Sequence, residues 1–425
     1  MPRVFDKKEN KMDKIFHQNT VKSNVRAISS KSEAHRLLIC AALGDRDCRL
    51  LCTDTNADID ATAACLNALG ADIKRTENGF SVHPIEKVAT GGELNCNESG
   101  STLRFLLPLA SSLGADCKFN MRGRLSERPL SPLYELLSDN GITLSPQGSN
   151  PLEIKGKLNS GNYSIAANVS SQYISGLLFA LSIAEGDGTL TLEGKIESAP
   201  YIQMTIDALN LFGASIEYDE NKNSFTISGR TRLTSPEEVV VCGDWSNAAF
   251  FIVAGAIGKN SVKISGLDQN SRQGDKEILS VLKKMGADII IDSDGITVNP
   301  SQLHGVEIDA ANIPDLVPIL AVAASVADGE TKIFNASRLR IKESDRIESV
   351  CTTLSSLGAD ICATFDGMII HGKKSLTGGE VDSYNDHRIA MSASVASLVC
   401  DGAVKITRFE AINKSYPSFA ENFDI

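Results

Sequence analysis

The chain has 425 residues, a formal net charge of −11, 42% hydrophobic and only 5% aromatic residues. Such a length implies two or three domains with full cores. The acidity excludes a nucleic-acid or anionic-membrane partner, and so few aromatics exclude a base-stacking surface. The opening segment Met1–Phe16 is charged throughout and does not read as a secretory signal. Apolar stretches reach only Ala248–Ile257 and Leu316–Ala327, too short to span a bilayer. The ten cysteines show no CxxC pair and no metal-ligand spacing, so reduced, core-filling thiols are expected. The expectation is a soluble, cytoplasmic, monomeric protein without a metal or other cofactor.

A repeat organises the chain. The segments 66–73, 135–142, 209–216, 282–289 and 354–361 each read as the end of an amphipathic helix, a glycine cap and the entry to a strand. Their glycines, Gly70, Gly141, Gly213, Gly286 and Gly358, fall at intervals of 71, 72, 73 and 72 residues. A more apolar helix shares the period: Lys31–Leu43, Ser99–Leu113, Ser171–Ala184, Ser246–Ile257, Pro314–Ala327 and His387–Val399. Short alternating runs such as Val262–Ile264, Ile289–Ile291 and Ile296–Val298 read as strands. The unit is helix–strand–helix–strand–strand over ~70 residues, used six times, with the last copy cut short. Segment Phe5–Ser29 is expected to complete that sixth copy. Copies one to three then form a lobe over 30–241, and copies four to six plus 1–29 form the other lobe, which resumes at 242 and runs to 425. Connections near Ser29–Ser30 and Val241–Gly243 permit hinge closure.

The apolar helices begin with polar residues. In order these are Ser30-Lys31-Ser32 with Arg36, Glu98-Ser99-Gly100-Ser101-Thr102 with Arg104, Ser170-Ser171-Gln172, Asp244-Trp245-Ser246-Asn247, Ile313-Pro314-Asp315, and Asn385-Asp386-His387-Arg388. Ser, Asp and Asn there cap free N–H groups. Lys31, Arg36, Arg104 and Arg388 oppose the helix dipole, each costing a few tenths to ~1 kcal/mol unless an anion is near. Equivalent helix ends on one side of a lobe would line an anion-binding surface.

Other stretches carry weaker signals. Asp54–Asp58 begins like a calcium loop, but Ile59 replaces the required glycine and Cys65 the closing glutamate; Asp60 reads instead as a helix cap. Gly123–Leu130 is a doubly basic loop with Pro129 as helix starter. Arg338–Arg346 packs four basic and two acidic residues into nine. If extended, it would point Arg338, Arg340 and Lys342 to one face and Leu339 and Ile341 to the other. A helix follows over Ile347–Leu357. His387 has both a proton-carrying and a structural reading.

Taken in order, the helix starts, Glu127-Arg128-Pro129, Lys342-Glu343-Ser344-Asp345-Arg346, Asp386-His387-Arg388 and Lys414 resemble the 5-enolpyruvylshikimate-3-phosphate synthase family along essentially the whole chain. The resemblance implies an α/β fold: a two-lobed inside-out α/β barrel of six βαβαββ units, three per lobe. It implies enolpyruvyl transfer from phosphoenolpyruvate to the 5-hydroxyl of shikimate 3-phosphate with release of phosphate. Together these substrates carry roughly six negative charges. Lys31, Gly100, Arg128, Gln172, Arg346, Arg388 and Lys414 would hold phosphoenolpyruvate. Lys31, Ser32, Arg36, Ser170, Ser171, Gln172, Ser198, Tyr201, Asp315 and Lys342 would hold shikimate 3-phosphate. Asp315 is the candidate hydroxyl base and Glu343 the candidate proton donor, with Lys31 a further participant.

Glu98, Arg338 and Ala199 depart from the commonest pattern of that family. Glu98 would bring a negative charge near phosphoenolpyruvate, so it is expected to turn away, and neither Arg338 nor Arg340 is assigned a ligand. The alternatives are the related enzyme acting on UDP-N-acetylglucosamine and a non-catalytic repeat scaffold that binds phosphorylated ligands. The first usually carries a cysteine before the Arg-Pro pair, and residues 121–130 have none. The second gives no reason for Asp315 and Glu343 to lie among the cations.

Overall fold

A computed structural model describes residues 12–17, 20–230 and 232–423. The part of the N-terminal expectation that concerns residues 1–11 lies outside them. Six small sheets are present among the described residues, five with four strands and one with three. Their shared plan is clearest in the second unit. Strand Gly92–Asn97 leads through helix Gly100–Leu113 to Cys117–Met121, which it pairs in parallel. Helix Leu133–Asp139 follows, and strands Thr143–Leu144 and Leu152–Lys155 add antiparallel. This is βαβαββ, with the parallel pair joined by a buried crossover helix.

The spaced glycines do what their period implies. Gly70, Gly141, Gly213, Gly286 and Gly358 all adopt positive φ, between 75° and 116°, turning each outer helix into its next strand. Strands alternate buried and exposed residues, as in Cys48–Leu51 and Gly79–His83, so one sheet face meets solvent. The crossover helices are enclosed instead: all eight residues of Val317–Ala324 are buried, and ten of ten in His387–Ala396. Helices inside and sheets outside give the inside-out arrangement.

Buried apolar side chains fall into two clusters. One runs from Ala34 to Val241; the other takes Phe16–Ile28 and then Trp245 to Phe423. The chain passes between them twice, and the two passes lie side by side. Ser30 N donates to Cys242 O at 2.8 Å and Asp244 N to Ile28 O at 2.8 Å.

Four local readings need correction. The N-terminal segment divides between two units: Lys14–Phe16 pairs antiparallel with Val404–Thr407 of the sixth, whereas Asn24–Arg26 leads the fourth by pairing parallel with Val262–Ser265. Asn56, not Asp60, caps helix Ala57–Ala68, its Oδ1 accepting from Asp58 N and Ile59 N. Pro129 starts no helix; the next one begins at Leu133, after Pro132. Residues Ser337–Ile341 form a 3-10 turn rather than a strand, so Leu339 is buried while Arg338 and Arg340 diverge. Five alternating residues fit both geometries, and only the buried contact of Leu339 chooses between them.

Candidate active site

Five of the six apolar helices, and the outer helix Arg346–Ser356, carry a side-chain cap at the start. Ser30, Ser99, Ser170, Asp244, Asp345 and Asp386 each accept a backbone N–H from the first turn. The exception is the Pro314 segment, which opens as a 3-10 turn over Pro314–Leu316 and becomes α-helical at Val317. Most of these starts converge on a cleft of about 1110 Å³, including the space open to solvent, between the two cores.

Eight cations line the cleft: Lys31, Arg36, Arg104, Arg128, Arg338, Lys342, Arg346 and Arg388. Among the described residues four carboxylates do, Asp58, Asp244, Asp315 and Glu343. A protein of net charge −11 has thus concentrated positive charge at one place. Ser32, Gly100, Ser170, Ser171, Gln172, Ser198 and Tyr201 complete the expected set around it. Lys414 alone of that set stays off the wall. Its ammonium reaches Glu98 Oε2 at 2.7 Å and Asn385 O at 2.5 Å, so Glu98 turns toward the other lobe and is not part of the cleft wall either.

Asp315 is the most contacted acid. Arg346 Nη1 lies 2.8 Å away, Arg388 Nη2 3.2 Å, Lys342 Nζ 3.8 Å, and the Tyr201 hydroxyl 3.3 Å. Burial alone would raise its carboxyl, but Arg388, Lys342 and Arg346 hold it well below the usual range. Glu343 follows the same balance, burial being overcome by Arg346 and Arg128. Lys342 is pushed down to about 8, chiefly by burial. Arg346 spends its fork on three acids: Asp315, Glu343 at 2.7 Å and Asp386 at 2.8 Å.

Other cations are held by the protein. Lys31 Nζ donates to Asp58 at 3.0 Å. Arg36 donates to Thr205 Oγ1, Ser32 O and Tyr201 O while stacking 5.0 Å from the Phe105 ring. Gln172 is spanned by Arg104 and Ser101, both at 2.9 Å. A Cβ at Gly100 would sit 2.8 Å from both Arg104 Nη1 and Arg128 Nη1, so glycine here admits two guanidinium groups. Arg338, left unassigned by sequence, lines the wall, bonding Ser198 Oγ at 3.1 Å and pairing with Glu197. Arg340 points elsewhere, to Asp345 and Glu348. His387 is buried and lines the cleft, its proton affinity lowered by burial and by Lys31 and Arg388.

Polar atoms in this wall lack partners. Arg104 Nε, Arg128 Nε and both ring nitrogens of His387 are buried without a hydrogen bond. A buried, unmade hydrogen bond costs roughly 1–3 kcal/mol, so four in one cleft mark a surface completed by a polar ligand. Sequence reasoning missed Asp58, Ser246 and Asn247 in the wall, and Asp275 behind it, in contact with Ser246 and Tyr201. Ser246 and Asn247 stood in a helix start it had singled out; Asp275 gave no signal.

Two lobes of repeated βαβαββ units around a cation-rich cleft with two embedded carboxylates define an α/β protein built to hold polyanionic small molecules and move protons between them. A family pattern described as EPSP synthase (3-phosphoshikimate 1-carboxyvinyltransferase) matches residues 15–423. The 3-phosphoshikimate 1-carboxyvinyltransferases of Clostridium novyi and Clostridium acetobutylicum are 43% and 42% identical. The first alignment covers 93% of each chain and the second 94%. The solved EPSP synthase of Acinetobacter baumannii superposes with a TM-score of 0.80 at 27% identity, covering 97% of both chains. The enolpyruvyl transferase NikO of Streptomyces tendae shares the fold, with a TM-score of 0.77 at 19% identity over 97% of this chain and 96% of that one. The chain belongs to the EPSP synthase (3-phosphoshikimate 1-carboxyvinyltransferase) family. Among the described residues no helix is long and apolar enough to cross a membrane, and no cluster of three or more His, Cys, Asp or Glu side chains is placed to hold a metal.

Proposed function

We propose that the cleft binds shikimate 3-phosphate and phosphoenolpyruvate side by side and joins them. The 5-hydroxyl oxygen adds to C2 of phosphoenolpyruvate as its proton leaves and C3 gains one, becoming a methyl group. Loss of phosphate and of one methyl proton then restores the enol ether. The observation that carries this reading is the placement of Asp315 and Glu343 within a ring of eight cations, where two polyanions and two proton transfers can share one space.

Phosphoenolpyruvate is assigned to Lys31, Gly100, Arg128, Gln172, Arg346, Arg388 and Lys414. The orphaned Arg128 Nε supports that side, and Lys414 must first leave Glu98. Shikimate 3-phosphate is assigned to Lys31, Ser32, Arg36, Ser170, Ser171, Gln172, Ser198, Tyr201, Asp315 and Lys342. Asp315 takes the hydroxyl proton and is ionised for that purpose. Glu343 donates to carbon. The ring of cations keeps it ionised without ligand, and a bound polyanion that neutralises Arg346 and Arg128 raises its proton affinity. The domain division at 30–241 against 1–29 plus 242–425 supplies closure about the paired strands at Ser30 and Cys242. A cytoplasmic setting fits the free and mostly buried thiols.

Phosphate release tests the assignment. It is expected when shikimate 3-phosphate and phosphoenolpyruvate are supplied together and with neither alone. Release with UDP-N-acetylglucosamine in place of shikimate 3-phosphate, and none with the proposed pair, would refute it. Asp315→Asn and Glu343→Gln should each lower kcat by about 10²–10⁴ while the protein stays folded by circular dichroism.

A further inference from the structure

Asp275 lies on the short turn Gly274–Glu277 and is 1% exposed. Its Oδ2 accepts from Ser246 Oγ and lies 3.2 Å from the Tyr201 hydroxyl. That hydroxyl is also 3.3 Å from Asp315 Oδ2. Asp275 Oδ1 is buried without a partner. A phenol has one proton and cannot donate to two carboxylates at once. With both acids ionised, one of them faces the phenol's lone pairs. Every contact is satisfied when Asp275 carries a proton on Oδ2 and donates it to Tyr201, and Tyr201 donates to Asp315.

The charged groups facing Asp275 from neighbouring elements are Asp315, Arg388 and Asp244. Burial and Asp315, with Asp244, push its carboxyl up to about 6 against the pull of Arg388 and Ser246. Tyr201 stays protonated, since burial and the two acids hold its hydroxyl well above the ordinary phenol range. Releasing the Asp275 proton acts on Asp315 twice. It adds a like charge nearby, and it draws the Tyr201 hydrogen bond away. Both raise the proton affinity of Asp315.

We propose that Asp275 is a positioning residue whose protonation state, felt through the Tyr201 hydrogen bond, sets how strongly Asp315 can act as base toward the substrate hydroxyl. The inference rests on the role assigned to Asp315 above. Turnover should therefore rise as pH passes through about 6, the ionisation of Asp275. Asp275→Asn keeps the size and the donor to Tyr201 but cannot ionise. In that variant the rise between pH 5 and 7 should vanish and kcat at pH 8 should fall roughly three- to tenfold, with both KM values within about twofold.

Infrared titration of the ligand-free protein reads the same proton without turnover. A protonated-carboxyl band should disappear near pH 6. That band should be missing in Asp275→Asn and moved in Ser246→Ala, a variant that leaves the turn itself untouched. An unchanged pH profile in Asp275→Asn overturns the proposal, as does a band indifferent to both substitutions. Absence of turnover in the parent protein with the proposed substrates refutes the reaction instead, and the infrared titration still decides the pairing.

Discussion

At Arg346 three acids meet one guanidinium whose side chain is 2% exposed. Burial disfavours its charge, but Asp386, Glu343 and Asp315 more than restore it, raising its proton affinity above that of a free arginine. Asp386, fully buried, also accepts from Ser344 Oγ and Arg388 N, so one residue braces two helix starts. Arg346→Met would leave these carboxylates uncompensated and should cost roughly 3–5 kcal/mol in urea unfolding at pH 7. Acid acts on the same cluster. Asp315 and Glu343 are held below their ordinary values of 3.8 and 4.5, so they stabilise the fold above those values and lose that contribution as pH falls through their native ones. The urea midpoint should therefore begin to drop below about pH 4.5 and go on dropping below pH 3, less steeply in Asp315→Asn. Arg388 was legible in the sequence because a base breaks the usual charge rule for helix starts, and Glu343 and Arg346 because they stand in a dense run of charge. The pairing was not, since Asp315 lies 31 residues from Arg346 at another helix start of the same fifth unit and Asp386 lies 40 residues away in the sixth.

Capping explains why the elements were readable and where reading failed. Glycines at a constant interval need positive φ, a constraint that sequence displays directly. Choosing among neighbouring polar residues is harder: Asn56 and Asp60 both precede apolar runs, and only Asn56 has its Oδ1 over two free N–H groups. Its Nδ2 also donates to Ser415 O, in the other lobe, at 3.1 Å. Asn56→Ala should thus cost roughly 1–2 kcal/mol, against under about 0.5 for Asp60→Ala on the exposed side of the same helix. Denaturant midpoints of the two variants make the comparison. Equal losses would return the cap to Asp60. The turn Ser337–Ile341 failed for a related reason, because alternation over five residues does not distinguish a strand from a 3-10 turn anchored by one buried leucine.

Across the whole molecule, the two cores touch through few polar contacts around the cleft. Tyr201 reaches Asp275 and Asp315, Arg338 reaches Glu197 and Ser198, and Lys414 with Asn385 reaches Glu98. Under the proposed assignment of Lys414 to phosphoenolpyruvate, the last is the contact that the ligand breaks. Lys414 sits where the family resemblance implies a phosphoenolpyruvate contact, yet its charge is already matched by Glu98 at 2.7 Å. The pair is partly open to solvent, with side chains 12% and 27% exposed, which limits it to about 1 kcal/mol. That energy corresponds to roughly a fivefold change in affinity. Glu98→Gln should accordingly lower KM for phosphoenolpyruvate a few-fold and leave KM for shikimate 3-phosphate unchanged. It should also loosen the ligand-free lobes, visible as a larger radius of gyration in small-angle scattering that shrinks again when both substrates bind. A higher KM for phosphoenolpyruvate would mean that Glu98 orients Lys414 for the ligand rather than competing with it. Because the competing charge sits on one lobe and the cation on the other, the same substitution tests ligand affinity and lobe closure together.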